Sequence, residues 1–466
     1  MLKRKHATLL LLAMLISSMG SAVSGQQTFD AAQIKFIDNG TIKLGVSPDL
    51  GGAITYLSKS GGRDNIINNW DWGRQIQMSF FAFPAPYSER GQTPQKHWEN
   101  IGWNPIQAGD DYGNGSRLTE FEKTDTSLYL KCIPMQWPLN NVPGECTYEC
   151  WIELKDHTVE VRSRLNNARS DQTRYRGKHQ ELPAVYTNGD YYRLMTYRGD
   201  QPFTGDKISR IPKKIGSGFP WSYWLATENW AALVNEQDWG LGIYKPNNFF
   251  FIGGFAGKQG TGGTNDSATG YLAPLQTEIL DHNIVYEYSY TLILGSLSEI
   301  RNYALEQRET ESPPEWRFEK DRQHWHYHAG HQQGTDAGWP IQGFIKLDLS
   351  KPDMTALSPA TFWQAEDAPM LYIEAAFKTK QNKSRIAWTP YQGADYQPTQ
   401  KREHRTEFNI RGDGRFRTYA VNLASVPGYQ GAQSYLIFRP LLQPEEDAWV
   451  KVKRIWLGQQ RDEFRK

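Results

Sequence analysis

From residue 33 to residue 294 the chain carries almost no helical periodicity. It runs as short β-rich segments, among them 34–37, 42–46, 53–57, 147–154, 159–165 and 286–294, separated by Gly, Asn, Asp and Ser. Strands of this kind bury their apolar side by stacking sheet on sheet, so the pattern predicts antiparallel sheets in a large sandwich. Residues 249–270 read as a Gly-rich loop. Residues 84–117, rich in Pro, Gly, Asp and Asn, read as a long loop of the kind usually kept for function.

A short helical stretch at 297–307 and the pair Pro313-Pro314 mark a boundary. Beyond it, β-rich runs at 343–349, 370–377, 384–389, 405–410, 415–423, 434–439 and 450–457 fit a jelly roll. The expected fold class is all-β: a large antiparallel supersandwich over 26–310, then a second jelly-roll β-sandwich over 311–466. Ahead of both, Lys3, Arg4 and Lys5, an apolar run at 8–16 and small residues at 20–25 have the layout of a secretory signal peptide over 1–25. Export to the periplasm or the medium is therefore expected. No later segment reaches the ~20 apolar residues of a membrane span.

Without that leader, 49 of the 52 basic residues remain against 51 acidic ones, a balance that suggests neither nucleic acid nor an anionic membrane as partner. Three cysteines, Cys132, Cys146 and Cys150, exclude a disulfide-rich scaffold. A hairpin turning near 140–143 would set Cys132 roughly opposite Cys150, which leaves one bridge open. Trp and Tyr number 17 and 24, many in polar, Gly-rich contexts where their faces could stack on sugar rings or simply fill a core.

The stretch 174–187 concentrates chemistry: Arg174, Arg176, Lys178, His179 and Glu181 precede an apolar run. In an extended chain His179 and Glu181 point to the same side. They would join a proton-moving imidazole to a carboxylate able to orient it. A surface ion pair flanking a strand fits the same residues.

Trp72-Gly73-Arg74, followed by an alternating strand that contains Gln77, resembles the Gly-Arg segment of galactose mutarotases (aldose 1-epimerases). His97 then falls where that family carries its first active-site histidine, and His179 where it carries its second. Gln276-Thr277-Glu278, with Asp281 and Asn283 behind it, resembles the late segment that contributes the general-base glutamate. The resemblance spans roughly 33–300, but Gly177-Lys178-His179-Gln180-Glu181-Leu182 replaces the family's Asn-His-Thr-Tyr-Phe-Asn. Past the boundary, 416–421, Gly431, 436–440 and 452–457 resemble galactose-binding-like sandwiches, which bind glycan or buttress a neighbour.

What this implies is a cleft in which His179, Glu278, His97 and Glu181 are catalytic and Arg74 holds an oligo- or polysaccharide. Gln77, Trp72, Trp98, Trp103 and Tyr186 would line it. No cofactor is expected. In a mutarotase mode Glu278 would be base and His179 acid; in a depolymerising mode a lyase would abstract a proton beside a uronate, or a hydrolase would use two carboxyls from among Glu181, Glu278 and Asp281. A non-catalytic glycan-binding protein would use the same aromatic residues. Export and long aromatic loops favour a polymer, hence depolymerisation. On a strand His324, His326 and His328, with His331 after them, could present imidazoles to a transition metal, or they are exposed loop histidines; no metal site is assigned.

Overall fold

The structure, a computed structural model, describes residues 31–212, 220–308, 313–328, 334, 336–352, 354–391, 393 and 404–460. The leader-like segment 1–25 and His331 lie outside these residues.

Every described strand pairing is antiparallel, in four sheets. The larger two have ten and nine strands. Between them lies a core built by alternation: in Cys146–Lys155, Tyr148, Cys150, Ile152 and Leu154 turn inward, and Val159, Val161 and Leu165 follow from the paired strand Thr158–Asn167. On the solvent side of this pair Trp151 carries the guanidinium of Arg162 at 3.7 Å from its ring centre. The helix Leu297–Glu306 opens with a reciprocal Ser296–Glu299 capping box and lays Ile300 and Ala304 against Trp230 and Tyr244 of the nine-stranded sheet.

Two further sheets, of five and six strands, enclose a second core around Trp325, Trp388, Phe377 and Phe438. The two bodies are joined tightly. Arg322 bonds Asp281 and Asp336, each at 2.6 Å, with all three side chains at most 5% exposed, and Tyr391 Oη donates to the Arg198 carbonyl at 2.8 Å.

One sequence expectation is narrowed here and another fails. The Gly-rich loop expected over 249–270 is confined to 257–268, where Gly257, Gly260 and Gly262 take positive φ; its flanks are strand, Phe250–Ala256 and the start of Thr269–Glu278, in which Gly253 serves close backbone approach, since a Cβ there would meet the Tyr271 carbonyl at 2.5 Å. The possible disulfide is absent. The register sets Cys150 against Leu130 and Cys132 against Tyr148, and all three thiols are free and buried.

Candidate functional site

Paired residues of an antiparallel ladder share a face, so the registers show what each side of the ten-stranded sheet carries. Ser79 pairs with Glu181 and Glu181 with Leu275; His179 pairs with Thr277, Tyr186 with Tyr271 and Tyr223 with Ile252. These residues lie on the face turned away from the main core, whereas Gln180, Leu182, Leu272 and Phe251 turn inward. Glu181 and Tyr186, five positions apart, reach the same face because the register shifts between Glu181 and Val185. That bulge coincides with Pro183, which cannot donate to the ladder, and re-aims every later side chain of the strand.

The outer face is aromatic with a carboxyl at its centre. Tyr271 Oη donates to Glu181 Oε1 at 2.5 Å. The Tyr271 ring lies 4.8 Å from those of Tyr186 and Trp221. Tyr223 stacks on Phe250 at 5.6 Å, and the His179 ring meets Phe250 edge-on at the same distance. Burial pushes the Glu181 carboxyl up to about 7, against the opposing pull of the Tyr271 hydroxyl. Burial draws His179 down to about 4. Its imidazole is therefore neutral at pH 7, with Nδ1 2.8 Å from Thr277 Oγ1.

Arg74 stands next to Tyr186 on this side but is already engaged. It donates to Asp71 at 3.0 Å, to Asn68 at 3.3 Å and to the Ser267 carbonyl at 2.9 Å. The charge of Asp71 also reaches Asp111, whose carboxyl is raised chiefly by burial while Trp98 Nε1 donates to it at 2.8 Å. His97, on the turn Lys96–Trp98, lies 3.9 Å from Asp111 with a third of its side chain exposed.

Several expected site residues are elsewhere. Glu278 pairs with Lys178, one position out of phase with His179, so the two lie on opposite faces. Its carboxylate is held inward by Tyr286 at 3.0 Å and His324 at 2.5 Å. Trp103 is fully buried in the main core, and Trp72 and Trp98 pack with Trp137 in a separate buried cluster, so none of the three is an open platform. Gln77 is 3% exposed and its amide bridges backbone: Nε2 donates to the Trp72 and Arg74 carbonyls and Oε1 accepts from Ala108. His324 precedes the strand His326–His328 and binds Glu278, and no group of three metal-ligating side chains occurs among the described residues.

Sequence reasoning missed Tyr271, Tyr223, Thr277, Asp71 and Asp111. Tyr271 and Thr277 could have been found from alternation once 269–278 was read as a strand; Asp71 and Asp111 carry no local signal.

What this face can do is move a proton. A carboxyl divided between its two forms near pH 7, flanked by phenols, can give a proton to a leaving oxygen and take one back.

No family model matches the chain, and no curated protein does. Among solved structures, it is similar to a galactose mutarotase related enzyme from Lactobacillus acidophilus, at 10% identity and a TM-score of 0.35 over 57% of this chain and 98% of that one. A galactose mutarotase-like protein from Lactobacillus casei gives 12% and 0.35 over 56% and 99%. The 4-alpha-glucanotransferase from Thermococcus litoralis gives 13% and 0.32 over 58% of this chain and 38% of that chain. At such scores the chemistry of this cleft is to be read from its own residues.

Proposed function

We propose that this chain is an exported carbohydrate-active protein that takes a glycan onto the outer face of the ten-stranded sheet and cleaves it by hydrolysis, with Glu181 as proton donor. The observation that carries this reading is the Glu181–Tyr271 pair at 2.5 Å within an aromatic face. A carboxyl raised to about 7 is about half protonated at neutral pH and can protonate a glycosidic oxygen as the bond breaks. Tyr186 and Tyr223, both half-buried, offer ring faces to the sugar. Asp71, whose charge is felt at Tyr186, is the candidate for the second, water-activating role.

Hydrolysis is favoured over elimination because a lyase needs a cation to neutralise the enolate-like charge, and Arg74 is committed to Asp71. A mutarotase pairing of His179 with Glu278 is disfavoured by their opposite faces. The test is a screen of purified protein against neutral and uronate-containing polysaccharides. New reducing ends without unsaturated products, lost in Glu181→Gln, are expected. Unsaturated products would establish a lyase, and binding without either product a non-catalytic glycan-binding protein.

A further inference from the structure

The second sandwich turns one of its sheets toward the same cleft. In its six-stranded sheet His326 pairs with Leu357, Leu357 with Ile437, and Tyr435 follows two positions before Ile437, so these four share one face. The opposite face, with Tyr327, Ala356, Leu436 and Phe438, fills that sandwich's own core. The outward face nevertheless stays half-buried, at His326, Leu357, Tyr435 and Ile437 alike.

What covers it is the outer face of the ten-stranded sheet. Tyr435 and Tyr391 pack against the cluster of Tyr271, Leu275, Phe250 and Trp221. At the other end Gly177 is wedged between Thr277 and His326, and a Cβ there would come within 3.0 Å of the Thr277 methyl and 3.3 Å of the His326 Cβ. His326 thus stands over the threonine that holds His179, and Tyr435 over the aromatic residues beside Glu181. Gln364 Nε2, bonded to the Asp200 carbonyl at 2.9 Å, fixes the mutual position of the two bodies from the side.

We propose that the second sandwich forms the opposite wall of the cleft, with Tyr435 and His326 contacting the glycan and setting which one is accepted. The proposal rests on the cleft assignment above, and extends it: the second sandwich is not a separate tether to polymer but half of the site. The glycan class that fits is uncharged, because the side chains where the two faces meet are phenols, apolar groups, an imidazole and the Glu181 carboxyl, and the nearby Arg74 is already paired.

Calorimetric titration of the full chain with cello-, manno- and chito-oligosaccharides and with oligogalacturonate tests this, alongside Tyr435→Ala, His326→Ala and Glu181→Gln. Tyr435→Ala and His326→Ala are each expected to weaken binding of the preferred neutral oligosaccharide about tenfold, to raise KM by the same factor with kcat kept, and to leave the thermal midpoint within a degree or two. Tyr435→Phe should restore most of the loss, since the ring rather than the hydroxyl makes the platform. Wild-type affinity in both wall variants, with Glu181→Gln still impaired, overturns the wall and spares the cleft assignment. Loss of affinity that tracks a fallen midpoint also overturns it, as a purely structural role. Tighter binding of oligogalacturonate than of the neutral sugars overturns the class, and no binding by the wild type to any of them overturns wall and cleft together.

Discussion

Two buried polar clusters lie on either side of the Thr269–Glu278 strand's end, and they are built on opposite plans. In the junction cluster one guanidinium, Arg322, bridges Asp281 and Asp336, and Tyr327 and the Gly338 amide complete the donors to Asp336. In the cleft cluster Glu181 has a phenol and no cation. Burial raises the Asp281 carboxyl as well, but there the Arg322 cation opposes it, whereas at Glu181 only the Tyr271 hydroxyl does and the carboxyl is left near its titration point. Perturbed groups mark function when they are left unmatched, and structure when they are matched.

The largest effect expected from this contrast is on turnover. Glu181→Gln keeps the shape and the Tyr271 contact but removes the transferable proton, so activity should fall by about 10²–10⁴-fold with the fold intact. Initial-rate measurements beside a melting curve check both halves. An active Glu181→Gln would make the cleft cluster as structural as the junction.

Next in size is Arg322→Ala. Removing the bridge leaves two carboxylates facing each other in a site at most 5% exposed, with an expected loss of about 3–5 kcal/mol of stability. Denaturant unfolding measures it. The loss should weaken the seam between the bodies while the isolated Glu181 chemistry is untouched, so residual folded protein should keep its kcat.

How much of this was legible follows the same division between pattern and pairing. The β-rich runs at 147–154 and 159–165 anticipated the strands Cys146–Lys155 and Thr158–Asn167 because alternation is written in single residues. The shared side of His179 and Glu181 was readable for the same reason. That Tyr186 joins them was not, since its phase is reset by a bulge at Pro183, although a proline inside a strand was the available warning. Glu278 was misjudged by one residue of phase: only the register against Lys178, a long-range fact, shows which face it takes. The tryptophans failed as platforms because sequence cannot distinguish a Trp that fills a core from one that faces a ligand; Trp103 and Trp98 are core.

A third prediction concerns pH. The folded value of His179, about 4, lies below its ordinary 6.5, so its contribution to stability is complete above pH 6.5 and is lost as pH falls toward 4. Glu181 runs the other way: its folded value of about 7 exceeds the ordinary 4.5, so its contribution is complete below pH 4.5 and is lost as pH rises toward 7. Between those limits the two offset each other. The wild type should show a flat contribution from this pair, and Glu181→Gln should unmask a rise of about 1–2 kcal/mol from pH 4.5 to 6.5, allowing for solvent at half-buried sites. Unfolding midpoints across that range decide it; a variant with the wild-type profile would show that the two groups are not buried as described.

The smallest effect should come from Glu278, and it bears most directly on the comparison. Its carboxylate accepts from Tyr286 at 3.0 Å and meets His324 at 2.5 Å, and the His324 side chain is 41% exposed. An ion pair with one partner so open to solvent contributes at most about 1 kcal/mol. Glu278→Gln retains an acceptor for Tyr286 and loses the charge toward His324 and, at longer range, toward the buried Lys245. Stability should therefore drop by about 1 kcal/mol or less, and kcat by less than about threefold, because Glu278 faces away from His179 and Glu181. His324→Ala should match it on both counts: the residue sits at a φ of +62°, a strain that alanine shares, so the substitution reads the imidazole alone. Equal, small effects in the two variants would place Glu278 with the junction cluster as a structural carboxylate. A fall of decades in kcat for Glu278→Gln, with His324→Ala unaffected, would instead mean that the inward carboxylate is the working base, that Glu181 is the structural one, and that the division between matched and unmatched carboxyls has been drawn the wrong way round.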